Sequence, residues 1–242
     1  MKNLSVIIVL VIAFGSQVFA QITGVKAYEA YVKGEPNNFH TLVKELKKSK
    51  VKTTEQKLEL LKLQYGLLNS TFAKMDEDLF DDESDAAVDN AKTILEADKN
   101  NAEAKALLAG IYGFKIAYSP MKGMFLGGKS NNLLSEAMQT APNNPVVRLM
   151  NAISAFNTPD MWGGDKKVAR ENFLKSIELF ENQGASLENN WLLLHANAWL
   201  GQSYSEANEA KKAVETYQKV LKVAPEFDWV KHVLLPRAEK KM

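Results

Sequence analysis

The chain has no cysteine, and its 242 residues include only 7 prolines and 13 glycines. Without cysteine there is no disulfide framework, no thiolate metal site and no thiol nucleophile, and no residue to carry the lipid of a bacterial lipoprotein. So little proline and glycine excludes collagen-like and low-complexity chains. Net charge is almost absent as well. Lys plus Arg is 30 against 29 Asp plus Glu, a balance of +1, which gives no long-range field for capturing nucleic acid. No alternating Val/Ile/Thr run bounded by turn residues occurs, so strands are not expected. Past the N-terminus no apolar run approaches the roughly 20 residues of a membrane-spanning helix. What is present is a hydrophobic fraction of 46%, ample for a packed core.

The first twenty residues have the three-part pattern of a secretory signal. Lys2 opens it, an apolar run of 11 residues follows from Leu4 to Phe14, and Val18-Phe19-Ala20 precedes the expected cut. The expected domains are a signal peptide at 1–20, N-terminal helices at 21–52 and a helical repeat domain at 53–242. Cleavage after Ala20 would give a neutral, periplasmic or secreted protein. Val25 to Lys33 and Phe39 to Lys48 read as two short helices around Gly34-Glu35-Pro36. Thr53 with Gln56 forms a capping box for the helix that follows.

Downstream, helical periodicity dominates. In AKKAVETYQKVLKVAPEF, Ala210, Ala213, Val214, Tyr217, Val220 and Leu221 recur at three- and four-residue steps, and Pro225 stops the helix. Small residues mark the places where paired helices approach closely. They fall at Gly66, Ala109, Ala152 and Gly201 in the first helix of each pair, and at Ala87, Ser130, Ala169 and Ala213 in the second. From Ala87 to Ala109, and again from Ser130 to Ala152, is 22 residues, and from Gly201 to Ala213 is 12. Leu200-Gly201, Tyr204, Ala213, Tyr217 and Pro225 together resemble the tetratricopeptide (TPR) motif, whose period is about 34; Asn197 stands where that family usually has Trp. The resemblance implies an all-α, TPR-like right-handed α-solenoid of about four antiparallel helix pairs, with N-terminal helices and a C-terminal capping helix ended by Pro236.

Three pairs are longer than the family period. The extra residues, AKMDEDLFDDES at 73–84, AYSPMKGMFLGGKS at 117–130 and AFNTPDMWGGDKK at 155–167, are expected as enlarged loops stacked along one edge of the solenoid. Met121, Met124, Phe125, Met161 and Trp162 would form their apolar rim. Repeats with this Pro and Gly-Gly insert are also similar, over 155–180, to the TPR-like periplasmic component associated with TRAP-type transporters.

Candidate chemistry is sparse. GMFLGGKS, Gly123 to Ser130, satisfies the phosphate-loop pattern, but the segment before it is helical rather than a strand. It reads as a structural loop with a helix cap at Ser130, and no cofactor is expected. His40, His195 and His232 have no metal-ligand spacing, and no nucleophile–base constellation stands out. The acidic cluster Asp76, Glu77, Asp78, Asp81, Asp82, Glu83 and Asp85 departs from the calcium-loop pattern and reads as a helix start favoured by the helix dipole.

By position in the TPR family, the resemblance implies a groove of first-helix residues: Phe114, Phe156, Asn157, His195, Gln202, Ser205 and Glu206. The expected function is therefore a non-catalytic exported scaffold binding a protein or peptide partner. The alternative is a periplasmic small-ligand-binding protein, which a closed pocket between the helices would favour.

Overall fold

Each amphipathic helix buries its apolar stripe by folding back on the next one. In the computed structural model, which describes residues 23–49 and 53–242, this gives an all-helical chain with no strand among the described residues. The export signal read at 1–20 lies outside them. Helix α1 covers 23–33, α2 is Pro36–Lys48, and four antiparallel pairs follow. The pairs are α3 (Thr54–Lys74) with α4 (Glu77–Ala97), α5 (Ala102–Tyr118) with α6 (Gly123–Thr140), α7 (Pro145–Asn157) with α8 (Lys166–Asn182), and α9 (Trp191–Glu206) with α10 (Ala210–Val223).

The small residues sit where the pairing needs them. Ala87, Ala109, Ala152, Ala169 and Ala213 are buried. A Cβ on Gly201 would enter the ring of Tyr217, and one on Gly66 would come within 2.5 Å of Phe39. Side-chain caps fix the helix starts. Thr53 and Gln56 form the expected capping box, and Asn101, Asn144 and Asn190 cap α5, α7 and α9 through their side-chain oxygens. Polar ties then hold the register, within a pair for Lys105–Glu136 and Arg148–Asn172 and between pairs for Asn144–Glu103. Lys105 reaches Glu136 at 2.6 Å, Asn144 donates to Glu103 at 2.7 Å, and Arg148 donates to Asn172 at 2.8 Å.

Three expectations need correction. The extra residues of the long repeats are mostly helix rather than loop: α3 and α4 have 21 residues each and α6 has 18, against 14 in α10. The first turn is only Met75, in the left-handed region, and the capping Asp76. The second is Ser119 and the short 3-10 turn Pro120–Lys122. Only 158–165 remains a true loop, so the stacked loop rim does not form.

Ser130 is likewise no cap. It lies inside α6, and its hydroxyl donates to the carbonyl of Ala109 at 3.0 Å. Gly127-Gly128-Lys129 is therefore helix, with its amides engaged in the helix ladder and unable to cradle a phosphate.

Pro236 does not end the last helix. It opens α11 (Leu235–Glu239), preceded by a π-helical turn, Trp229–Leu234. Proline lacks an N–H and its ring crowds the carbonyl four residues back, and a π turn absorbs that misfit.

The N-terminal helices are built into the same core. Tyr31 on α1 packs its ring 5.4 Å from Trp191, 5.5 Å from His195 and 4.9 Å from Phe227. Phe39 on α2 packs 5.6 Å from Trp191. Helices α1 and α2 thus close onto the last helix pair.

Candidate functional site

The first helices α3, α5, α7 and α9, together with α1 and the segment around Phe227 and Trp229, surround a cavity of about 1020 Å³. Its walls are chiefly aromatic and aliphatic: Tyr31, Tyr65, Phe72, Phe114, Trp199 and Trp229. None of the lining residues is Asp, Glu, Lys or Arg. The volume exists because the wall carries glycine at several places. A Cβ on Gly113, Gly127 or Gly128 would meet nothing within 4 Å, so larger side chains there would enter open space. This is where the Gly-Gly of the second repeat goes: it thins the α6 wall of the cavity. A second, shallower depression of about 510 Å³ lies between α6 and α7 and borders Trp162.

At one end of the cavity, Tyr31, His195 and Trp199 form a buried chain of hydrogen bonds. The Trp199 indole Nε1 lies 3.1 Å from His195 Nε2, and the Tyr31 hydroxyl 2.6 Å from His195 Nδ1. An indole N–H is only a donor. His195 Nε2 must therefore accept, and its proton sits on Nδ1, donating to the Tyr31 oxygen. Burial lowers the His195 pKa to about 3, so the ring stays neutral. Burial, reinforced by the nearby Tyr65, raises Tyr31 well above the usual phenol value. Burial also raises Tyr65.

The groove residues expected from the repeat pattern divide into two sets. Phe114, Asn157 and Gln202 line the cavity, as do Met124 and Trp162 of the expected rim. His195 is fully buried beneath the wall, with both ring nitrogens engaged. Phe156 turns away from the cavity and packs 5.6 Å from Trp199 and 6.4 Å from Phe173, beneath Lys166. Ser205 lies at the far end of α9, its carbonyl accepting from Lys241. Glu206 pairs with Lys166 at 2.8 Å, and that hydrogen bond lowers its pKa. Met121, Met124, Phe125, Met161 and Trp162 are the large apolar side chains most open to solvent around the second and third repeats, between 69% and 82% exposed.

Carboxylates of the acidic cluster serve structural ends. Asp76 caps α4, Glu83 lies 2.7 Å from Lys47 and 3.4 Å from His40, and Asp85 pairs with Lys115 at 2.6 Å. Among the described residues no group of three potential ligands could hold a metal.

Sequence reasoning missed Tyr31, Tyr65, Phe227 and Trp229. Tyr31 precedes the repeats and Phe227 and Trp229 follow them, so position in the repeat pattern could not place any of these three in the cavity. Tyr65 is adjacent to the anchor Gly66 and was within reach of the repeat pattern.

The fold is similar to that of a thermophilic TPR protein from Thermus thermophilus, with a TM-score of 0.59 and 14% sequence identity, over 93% of this chain and 98% of that one. No family model matches the chain, and no curated protein matches it. At this identity the likeness shows the fold: an all-α, TPR-type solenoid.

Proposed function

We propose that this protein is an exported, non-catalytic binding protein whose cavity takes a small apolar ligand. The observation that carries the reading is the cavity of about 1020 Å³, at the upper end of the range of ligand sites, roughly 300–1,000 Å³. An extended peptide needs a channel open at both ends of the solenoid. Here Tyr31 and Phe39 bridge the first helices to Trp191 of the last pair. That closure favours a compact occupant over a peptide strand. The one histidine beside the cavity holds its neighbours in place through both nitrogens, which supports positioning rather than proton transfer.

The test uses Nile red, a neutral dye that brightens in apolar surroundings. The mature protein should enhance its emission, and a Gly113→Leu/Gly127→Leu variant, placed where an added Cβ meets nothing within 4 Å, should lose most of that enhancement at unchanged circular dichroism. Equal enhancement by the filled variant would overturn the reading.

A protein partner is the second reading. It is favoured by the exposed Met121, Met124, Phe125, Met161 and Trp162, since exposed apolar patches mark interaction surfaces. TPR-type scaffolds serve many roles, so the fold alone does not choose between the two.

A further inference from the structure

The cavity is apolar but not featureless. The tautomer forced on His195 has a consequence for Tyr31. Its oxygen accepts from Nδ1, so its own O–H is turned away from the imidazole, and no other hydrogen bond of Tyr31 exists among the described residues. Tyr65, fully buried in the same wall, makes no hydrogen bond through its hydroxyl among the described residues. The Gln202 side-chain nitrogen, one helical turn beyond Trp199, is buried and has no hydrogen-bond partner. Three donors therefore belong to one cavity wall with no protein acceptor. The Gln202 nitrogen, buried with no partner, carries a cost of about 1–3 kcal/mol; with the two tyrosine hydroxyls beside it, the wall is complementary to an occupant that supplies acceptors.

The sign of that occupant's charge is constrained too. No cationic side chain lines the cavity. Burying a carboxylate there would forfeit its hydration with no counter-charge to offset the loss. A neutral carbonyl loses far less on entering and gains the same donors.

We propose that the ligand is an uncharged, largely apolar molecule with a carbonyl-type acceptor, a ketone, ester or amide, seated against Tyr31, Tyr65 and Gln202, and that the site rejects the corresponding fatty acid anion. This rests on the reading of the cavity as a ligand site.

The experiment compares three probes of equal chain length at about pH 8: undecan-2-one, undecanoate and undecane. Binding is followed by intrinsic tryptophan fluorescence, to which Trp162, Trp199 and Trp229 of the cavity wall contribute. Undecan-2-one should bind at least about tenfold more tightly than undecanoate. Tyr65→Phe, which loses the hydroxyl, and Gln202→Met, which loses the amide, both at little change in shape, should each weaken the ketone about fivefold and leave undecane unchanged. Circular dichroism verifies that the variants are folded. Undecanoate binding as tightly as the ketone, or ketone binding indifferent to both substitutions, would overturn the neutral-acceptor proposal while leaving the cavity reading intact. Failure of all three probes to bind would remove the cavity reading and this proposal with it.

Discussion

Gly201 and Gly113 both lie on first helices, yet their surroundings differ. A Cβ at 201 would collide with the Tyr217 ring, whereas one at 113 would meet open cavity. Gly201→Ala should therefore destabilise by about 1–3 kcal/mol through overpacking. Gly113→Ala should be neutral or stabilise by up to about 1 kcal/mol, since alanine is the better helix former. Urea denaturation of the two variants checks the contrast, and a similar cost at both positions would refute it. Close approach at Gly201 was legible in the sequence because the repeat motif demands a small residue there. Open space at Gly113 was not, since nothing in the local pattern of α5 distinguishes a glycine that packs from one that makes room.

His195 supplies a pH dependence whose sign follows from its burial. Its native pKa is about 3, against about 6.5 in the unfolded chain. Above about pH 6.5 neither state binds the proton, and the contribution is constant. As pH falls below that value the unfolded state takes up a proton that the native ring refuses. Stability then declines by up to about 1.4 kcal/mol per pH unit until about pH 3. The difference in urea midpoint between wild type and His195→Gln should be constant above about pH 7 and shrink below about pH 6. A difference independent of pH would show that the ring titrates normally.

Helix starts were legible at Thr53 but not at Ser130, which lies inside α6; a true cap is satisfied within three residues of chain. Asn144 illustrates it: its side-chain oxygen accepts from the amides of Val146 and Val147, and its nitrogen donates to Glu103 on α5. Asn144→Ala should cost about 1–2 kcal/mol by thermal or chemical denaturation. Asn101→Ala, whose oxygen caps a single amide at 3.0 Å, should cost about 1 kcal/mol at most. Equal costs would mean that the tie between pairs contributes nothing.

The Gly-Gly of α6 was misread for the opposite reason. Two glycines favour a loop locally, each weakening a helix by about 1 kcal/mol. The helix survives because its far side packs on α5, with Ser130 bonded to Ala109. That compensation comes from another helix and leaves no local trace in the sequence.

At the scale of the whole molecule, α1 sets this chain apart from a simple row of repeats. In a linear solenoid each repeat touches only its neighbours, and stability is a sum of nearest-neighbour terms. Here Tyr31 couples the N-terminal helices to the last pair through Trp191, His195 and Phe227. Tyr31→Ala should cost about 3–5 kcal/mol. It should also separate the hydrogen-exchange opening of α1 from that of α9, which in the wild type should occur together. Unchanged joint opening in the variant would show that the closure does not depend on this ring.

The amino-acid sequence by itself determined the all-helical class, the pairing of eight helices into four hairpins and the identity of the close-packed positions, though not the extent of the long helices. It did so because periodicity, caps and small residues act over one or two helical turns. Its export signal and groove residues remain expectations of the same local kind. The cavity was decided by tertiary structure alone. Its walls come from residues as far apart as Tyr31 and Trp229, and its volume is what remains when helices of unequal length close on one another around glycine. The polarity of its wall was decided there as well, since Tyr31, His195 and Trp199 become a chain of donors only where α1 meets α9.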